Sequence, residues 1–119
     1  MGQTELGRKG ESLALAYLAK KGYKPITRNF KRTHGEIDLI MEDQGTLVFV
    51  EVKTRTNLRF GEPKSSVTPI KQERIRYTAR AFLYTHRITH RSIRFDVVEV
   101  MIQGHGEVKF HHIRNAFGG

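Results

Sequence analysis

The stretch Leu47-Val48-Phe49-Val50 is apolar at four consecutive positions. In a strand, side chains alternate between two faces, so this one is greasy on both, with Val48, Val50 and Val52 on one side and Leu47 and Phe49 on the other. That is the pattern of a strand covered on each face, the middle of a packed sheet rather than its rim. Its end, Glu51-Val52-Lys53, turns polar, as a strand does where it opens into a cleft. The run before it, Ile37-Asp38-Leu39-Ile40, carries an acid among apolar residues. Burying charge is expensive unless something compensates it, and the identity of that compensating group decides what the protein does.

Residues 36–42 and 46–54 are joined through Asp43-Gln44-Gly45, with glycine where a tight hairpin turn needs positive φ. If Gln44-Gly45 is the loop, residues equidistant from it lie opposite one another, so Asp38 faces Glu51 and Glu36 faces Lys53. Opposed side chains share a sheet face with Cβ atoms about 4.5–5.5 Å apart. Two carboxylates held that close repel unless a proton or a cation sits between them. A hard oxygen donor set without His or Cys suits magnesium, manganese or calcium rather than zinc or copper. A divalent ion beside a basic surface suggests phosphodiester chemistry. The alternative is an ion-pair cluster at a sheet edge, in which Lys53 and Glu36 neutralise the acids. A slip of one residue would send Glu51 and Lys53 to the other face.

Around this hairpin the chain reads as helix, three strands, helix, two strands, a mixed α/β sheet flanked by helices. Thr4 caps a helix that runs to about Lys21 and stops at Gly22, with Leu6, Leu13, Ala14, Tyr17 and Leu18 at helical spacing. Residues 23–31 contain Pro25 and suit an edge or bulged strand. Residues 55–67 combine Gly, Pro, Ser and Asn and read as a long loop. Thr68 caps a second helix with Pro69 at its first position, continuing to Tyr84 or Thr85 with Ile75, Thr78, Ala79 and Phe82 on one face. Strands follow over residues 92–102 and 107–113, and residues 114–119 are expected to fray.

The 119 residues fit a single domain spanning 1–119, large enough to bury a core. The absence of cysteine excludes disulfides, zinc-thiolate sites and thiol catalysis. The apolar run near the start is too short and interrupted for a signal peptide, so no membrane association and a cytoplasmic location are expected. Twenty-one Lys and Arg against 12 Asp and Glu, a net charge of +9, favour a polyanionic partner, nucleic acid first.

The order Asp38, then Glu51-Val52-Lys53, resembles the signature of the PD-(D/E)XK nuclease superfamily. The surrounding GEIDLI, VFVEVKTR, RKGESLALAYL and FDVVEV more closely resemble the bacterial YraN-like family, relatives of archaeal Holliday junction resolvases, over nearly the whole chain. The resemblance implies a restriction-endonuclease-like five-stranded sheet and a magnesium-dependent endonuclease, with manganese as substitute, acting on DNA rather than RNA, branched or structured DNA included. It further implies that Asp38 and Glu51 ligate the metal, joined by the Val52 carbonyl, and that Lys53 orients or activates water. Glu11, whose helical neighbours are Gly7, Ala14 and Leu15, would complete the site. Ile37 stands where these nucleases often have proline. Because resolvases cut two strands with two sites, the resemblance also suggests a homodimer. Two rivals stand beside it: a non-catalytic nucleic-acid-binding accessory protein, and an RNA- or ribosome-associated factor.

Arg55, Arg59, Phe60 and Lys64 fall on the loop after the site, where a phosphate backbone could be gripped. Lys71 shares a helix face with Ile75, placing it inward, either on a scissile-strand phosphate or as a long stem over the core. Arg74, with Arg76, Arg80, Arg87 and Arg91, adds a broad basic surface. His111 and His112, adjacent on a strand, point to opposite faces and do not chelate jointly. Asp96 and Glu99 read as strand-end polar groups, or as support for the site.

Overall fold

A computed structural model describes residues 4–56 and 67–119. Its elements are α1 (Glu5–Lys20), β1 (Lys24–Arg32), β2 (Gly35–Asp43), β3 (Thr46–Arg55), α2 (Pro69–Thr85), β4 (Ile93–Ile102) and β5 (Val108–Phe117). They form one five-stranded sheet in the order β1-β2-β3-β4-β5. All neighbours are antiparallel except β3 and β4, which are parallel. A parallel pair needs a crossover, and α2 lies in that connection.

The two greasy faces of β3 are covered as their alternation requires. Val48, Val50 and Val52 pack with Ala14 and Leu18 of α1, whereas Leu47 and Phe49 pack with Ile75, Ala79 and Phe82 of α2. The helices begin where the sequence places them. Thr4 Oγ1 accepts a hydrogen bond from the Gly7 N–H at 2.9 Å, and Thr68 Oγ1 one from the Lys71 N–H at 3.2 Å. Each satisfies a donor that a helix start leaves orphaned. β1 lies at the edge, and its register shifts between Pro25 and Thr27, the place for a residue with no N–H to donate. The β2–β3 turn has Gln44 at φ 50° and Gly45 at φ 89°, the doubly left-handed turn that matches strand twist.

Four expectations are corrected. Residues 114–117 do not fray: β5 continues to Phe117, whose ring stacks on Phe95 at 5.0 Å, and Asn115 N–H donates to Asp96 Oδ1 at 3.0 Å. An aromatic and a buried acceptor hold the tail in the sheet. Arg55 is the last residue of β3 and half-buried, not a loop residue. Asp96 and Glu99 sit inside β4 at 0% and 1% exposure, so neither is a strand-end group. The expected Glu36/Lys53 pairing is not formed, because the β2–β3 ladder stops at Leu39 and Val50; on its other side Glu36 lies opposite Lys31 of β1. Arg59, Phe60 and Lys64 lie outside the described residues. Among the described residues, no helix is long and apolar enough to cross a membrane.

Candidate active site

The hairpin register follows the turn as predicted, from Asp43 opposite Thr46 to Leu39 opposite Val50. There the ladder ends, one residue short of the Asp38/Glu51 pair. On the other side of β2 the ladder also skips Asp38: Arg28 pairs with Leu39 and Phe30 with Ile37, leaving Asn29 unpaired at φ 51°. Asp38 thus drops out of both ladders. The alternation breaks with it, because Ile37 and Ile40 join the α2 side of the core while Leu39 and Met41 join the α1 side. Freed from the pleat, the Asp38 carboxylate takes the place of a strand: its Oδ2 accepts the Val52 N–H at 2.8 Å. In an antiparallel arrangement a residue's carbonyl faces the same neighbour as its N–H, which turns the Val52 carbonyl toward Asp38 as well.

Three acids from three elements meet at this break. Burial, the charge of Glu51, and the charge and hydrogen bond of Glu11 push the Asp38 carboxyl up to about 8, against the lowering effect of the Val52 N–H. Glu51 is 7% and Glu11 4% exposed. Glu51 Oε2 pairs with Lys71 Nζ at 2.9 Å, and Glu11 Oε1 accepts from Asn29 Nδ2 at 3.0 Å with Arg28 at 4.0 Å. Asn29 Nδ2 also donates to Glu36 at 3.2 Å. Asp38 forms no ion pair within 4 Å among the described residues; the Lys71 ammonium, bonded to Glu51, acts on it only through its charge. Lys53 completes the group: burial first, then the Lys71 charge, lower its amine, while on Lys71 burial is opposed by Glu51, Lys53 and Asp38, which together raise it.

Close approach of both helices gives this cluster its walls. A Cβ on Gly10, the neighbour of Glu11, would collide with the Thr54 side chain at the end of β3. A Cβ on Gly35 would meet Thr78 Oγ1 at 2.6 Å and the Arg74 carbonyl at 3.0 Å. A cleft of about 530 Å³ opens between the start of β2 and α2, lined by Gly35, Glu36, Asp38, Glu51, Lys71 and Arg74. A second, of about 320 Å³, opens between α1 and the end of β3, lined by Glu11, Asp38, Glu51, Lys53, Thr54 and Lys71. Asp38 and Glu51 line both clefts, and Glu11 lines the second alone.

Among the described residues, no three Asp, Glu, His or Cys side chains are already arranged to hold a metal ion. Magnesium does not need three, since one or two carboxylates with waters and substrate phosphate suffice. Asp38 and Glu51 with the Val52 carbonyl offer such a hard oxygen set, and a cation would reverse the acid–acid repulsion that adds to burial in raising Asp38. The donor chemistry therefore fits, with the Lys71 ammonium now beside Glu51 as the competing cation.

The sequence reading did not single out Asn29, which bridges Glu11 and Glu36. The signal was present: asparagine tolerates the left-handed conformation that lets a strand break its ladder. Lys71 reaches the acids from α2 and Arg74 lines the cleft. Asp96 and Glu99 are held elsewhere, Asp96 by Arg94 at 2.9 Å and His112 at 2.7 Å, and Glu99 by His111 at 3.1 Å.

The family described as Uncharacterised protein family UPF0102 matches residues 10–100. A UPF0102 protein of Syntrophomonas wolfei is 46% identical over 113 residues, covering 95% of this chain and 97% of the relative. Another, from Caldicellulosiruptor saccharolyticus, is 42% identical over 118 residues, covering 98% and 100%. A third, from Trichlorobacter lovleyi, is 42% identical over 117 residues, covering 98% and 92%.

Proposed function

The chain belongs to the UPF0102 family, and we propose that it is a metal-dependent endonuclease of the PD-(D/E)XK type, restriction-endonuclease-like in fold, hydrolysing DNA phosphodiester bonds. Branched or otherwise structured DNA is the substrate class, and the cytoplasm the location. One observation carries the reading: Asp38 leaves both strand ladders to join Glu51 and Glu11 without an ion pair of its own, its carboxyl pushed up to about 8 by burial and the two acids. A structural acid at such cost is hard to account for; an acid waiting for a hard cation is not.

In this reading Asp38, Glu51 and the Val52 carbonyl hold magnesium or manganese, with Glu11 behind them. The ion, when bound, would polarise a phosphoryl oxygen, acidify water and offset charge developing in the transition state. Lys53 supplies the amine beside the acids; burial and the neighbouring Lys71 make its neutral form more accessible, so it can orient water or accept its proton. Lys71 exchanges Glu51 for a substrate phosphate, and Arg74 holds the backbone at the cleft mouth. A homodimer would bring two such sites to two strands.

The Lys71–Glu51 pair at 2.9 Å favours a second reading, in which the acids are neutralised internally and the protein binds nucleic acid without cutting it. The test is incubation of linear, flapped and four-way DNA with manganese, alongside Asp38→Asn and Lys53→Ala. Manganese-dependent cleavage lost in both variants is the expected result. Cleavage that survives them marks a contaminant, and DNA binding without cleavage establishes the accessory role. Competition between DNA and RNA at matched salt separates an RNA-associated function.

A further inference from the structure

The outward face of α2 carries Ile70, Tyr77 and Tyr84 at 68%, 46% and 87% exposure, large side chains that the core does not use. Residues seven apart lie two helical turns apart on one face, about 10 Å from one to the next. Exposed Arg74 lies between the first two. Tyr77 does not stand alone: the His34 ring meets it edge-on at 5.6 Å and 65°. His34 belongs to the β1–β2 turn, where a groove of about 540 Å³ is lined by Lys31, Arg32, His34, Gly35, Glu36 and Arg74. Arg32 Nη2 closes this region onto the end of α2 by donating to Thr85 Oγ1 at 3.4 Å.

This groove and the cleft over Asp38 and Glu51 share His34, Gly35, Glu36 and Arg74, so one surface leads from the acids past the ring pair. Its acid, Glu36, is held by Asn29 and faces Lys31 across the ladder. Rings and cationic side chains interleave along it. Guanidinium and ammonium groups follow a phosphate backbone, and exposed rings offer faces on which bases stack. A duplex keeps its bases stacked inside and has nothing to offer those rings. A second copy of this chain is a poor occupant, because pairing the stripe with itself would set Arg74, Arg32 and Lys31 near their own kind.

We propose that the β1–β2 turn and the outer face of α2 form a single-stranded DNA track leading away from the acidic cluster, with Tyr77, backed by His34, and Tyr84 as base-stacking positions and Lys31, Arg32 and Arg74 on the phosphates. The proposal rests on the endonuclease reading for its direction and deepens it: the substrate carries unpaired nucleotides next to the bond to be cut, as at a flap or a junction with an open arm.

Binding is measured by fluorescence anisotropy in EDTA, so cleavage plays no part, using a labelled thymidine oligonucleotide and a blunt duplex of equal length. The native protein is expected to hold the single strand more tightly than the duplex. Tyr77→Ala with Tyr84→Ala should weaken the single strand by about tenfold or more while leaving the duplex almost unchanged. Tyr77→Phe with Tyr84→Phe should restore it. Arg74→Ala should instead flatten the salt dependence for the strand by about 0.7 in logarithmic slope. Equal affinity for strand and duplex, an equal loss on both, or a native dimer that the alanine pair dissociates overturns the track. Tyrosine-dependent strand binding without metal-dependent cleavage of any DNA leaves the track standing and removes the nuclease reading. Cleavage indifferent to the tyrosines does the reverse.

Discussion

Asp38 and Asp96 are both withdrawn from water in the same sheet, and their surroundings treat them in opposite ways. Burial pushes Asp96 up, yet donors from His112, Arg94 and the Asn115 N–H, together with the Arg94 charge, hold its carboxyl at about 2. The network extends outward: Arg94 donates to Tyr23 at 2.7 Å and Asp43 at 3.3 Å, and Lys21 donates to His112 Nδ1 at 2.8 Å. That last bond leaves His112 Nε2 to carry the proton given to Asp96. Asp38 receives one backbone N–H and two acidic neighbours, and rises to about 8. A buried carboxylate whose lone pairs are filled by its own protein ties elements together. One whose charge is left uncompensated is poised for something from outside. The pair shows why burial by itself does not mark a functional acid.

The comparison breaks most visibly by deletion. Asp96→Ala would leave Arg94, whose side chain is 14% exposed, without its main partner, and is expected to destabilise the fold by about 3–5 kcal/mol in urea unfolding. Asp38→Asn is expected to keep or raise stability in EDTA while abolishing cleavage. A large loss of stability in Asp38→Asn would make both acids structural.

Next in size is the response to pH. The folded Asp38 keeps its proton to about 8 while the unfolded group sheds it near 3.8, so metal-free stability falls as pH rises between those values. By pH 7 the loss is on the order of 4 kcal/mol, with sharing among the three acids blurring its midpoint. Asp96 acts in the other direction: its contribution is full above 3.8 and disappears as pH falls toward 2, worth about 2–3 kcal/mol. Denaturation midpoints collected across pH in EDTA should show both limbs, and Asp38→Asn should erase only the decline between pH 3.8 and about 8.

A packing change sharpens the contrast by touching one region only. Gly10→Ala would press a methyl into Thr54 beside Glu11 and cost about 2 kcal/mol, since α1 has to shift away from β3. Loss of manganese-dependent cleavage beyond that expected from unfolding would place α1 docking in the site's assembly, whereas the Asp96 network should keep its contacts. The smallest effect is that of the cation itself. At ten times its dissociation constant, magnesium should stabilise the native protein at neutral pH by about 1.4 kcal/mol and Asp38→Asn by almost nothing. Equal thermal shifts in both proteins would put the ion elsewhere.

Much of this is legible in the sequence alone. The β3 alternation told which residues face which helix, the Gln44-Gly45 turn gave the register, and Thr4, Thr68 and Pro69 marked the helix starts, because each is a local rule of backbone or side-chain geometry. The tail reads as frayed because Phe117 and Asn115 find their partners on β4, roughly twenty residues earlier, and no local pattern announces such a pairing. Asp96 and Glu99 read as strand-end groups for the same reason: their partners His112 and His111 arrive from β5.

By itself, then, the amino-acid order settled the type and order of the elements, the two faces of the central strand and the short list of acids that share a hairpin. Only the packed structure decided that β2 leaves both ladders at Asp38, that Lys71 arrives at Glu51 from α2, and that Asp96 rather than Asp38 receives a directly bonded guanidinium. Strand pairing and helix capping depend on neighbours a few bonds away. The charge state of a buried carboxyl depends on every group that folding brings within a few ångströms, whatever its distance along the chain.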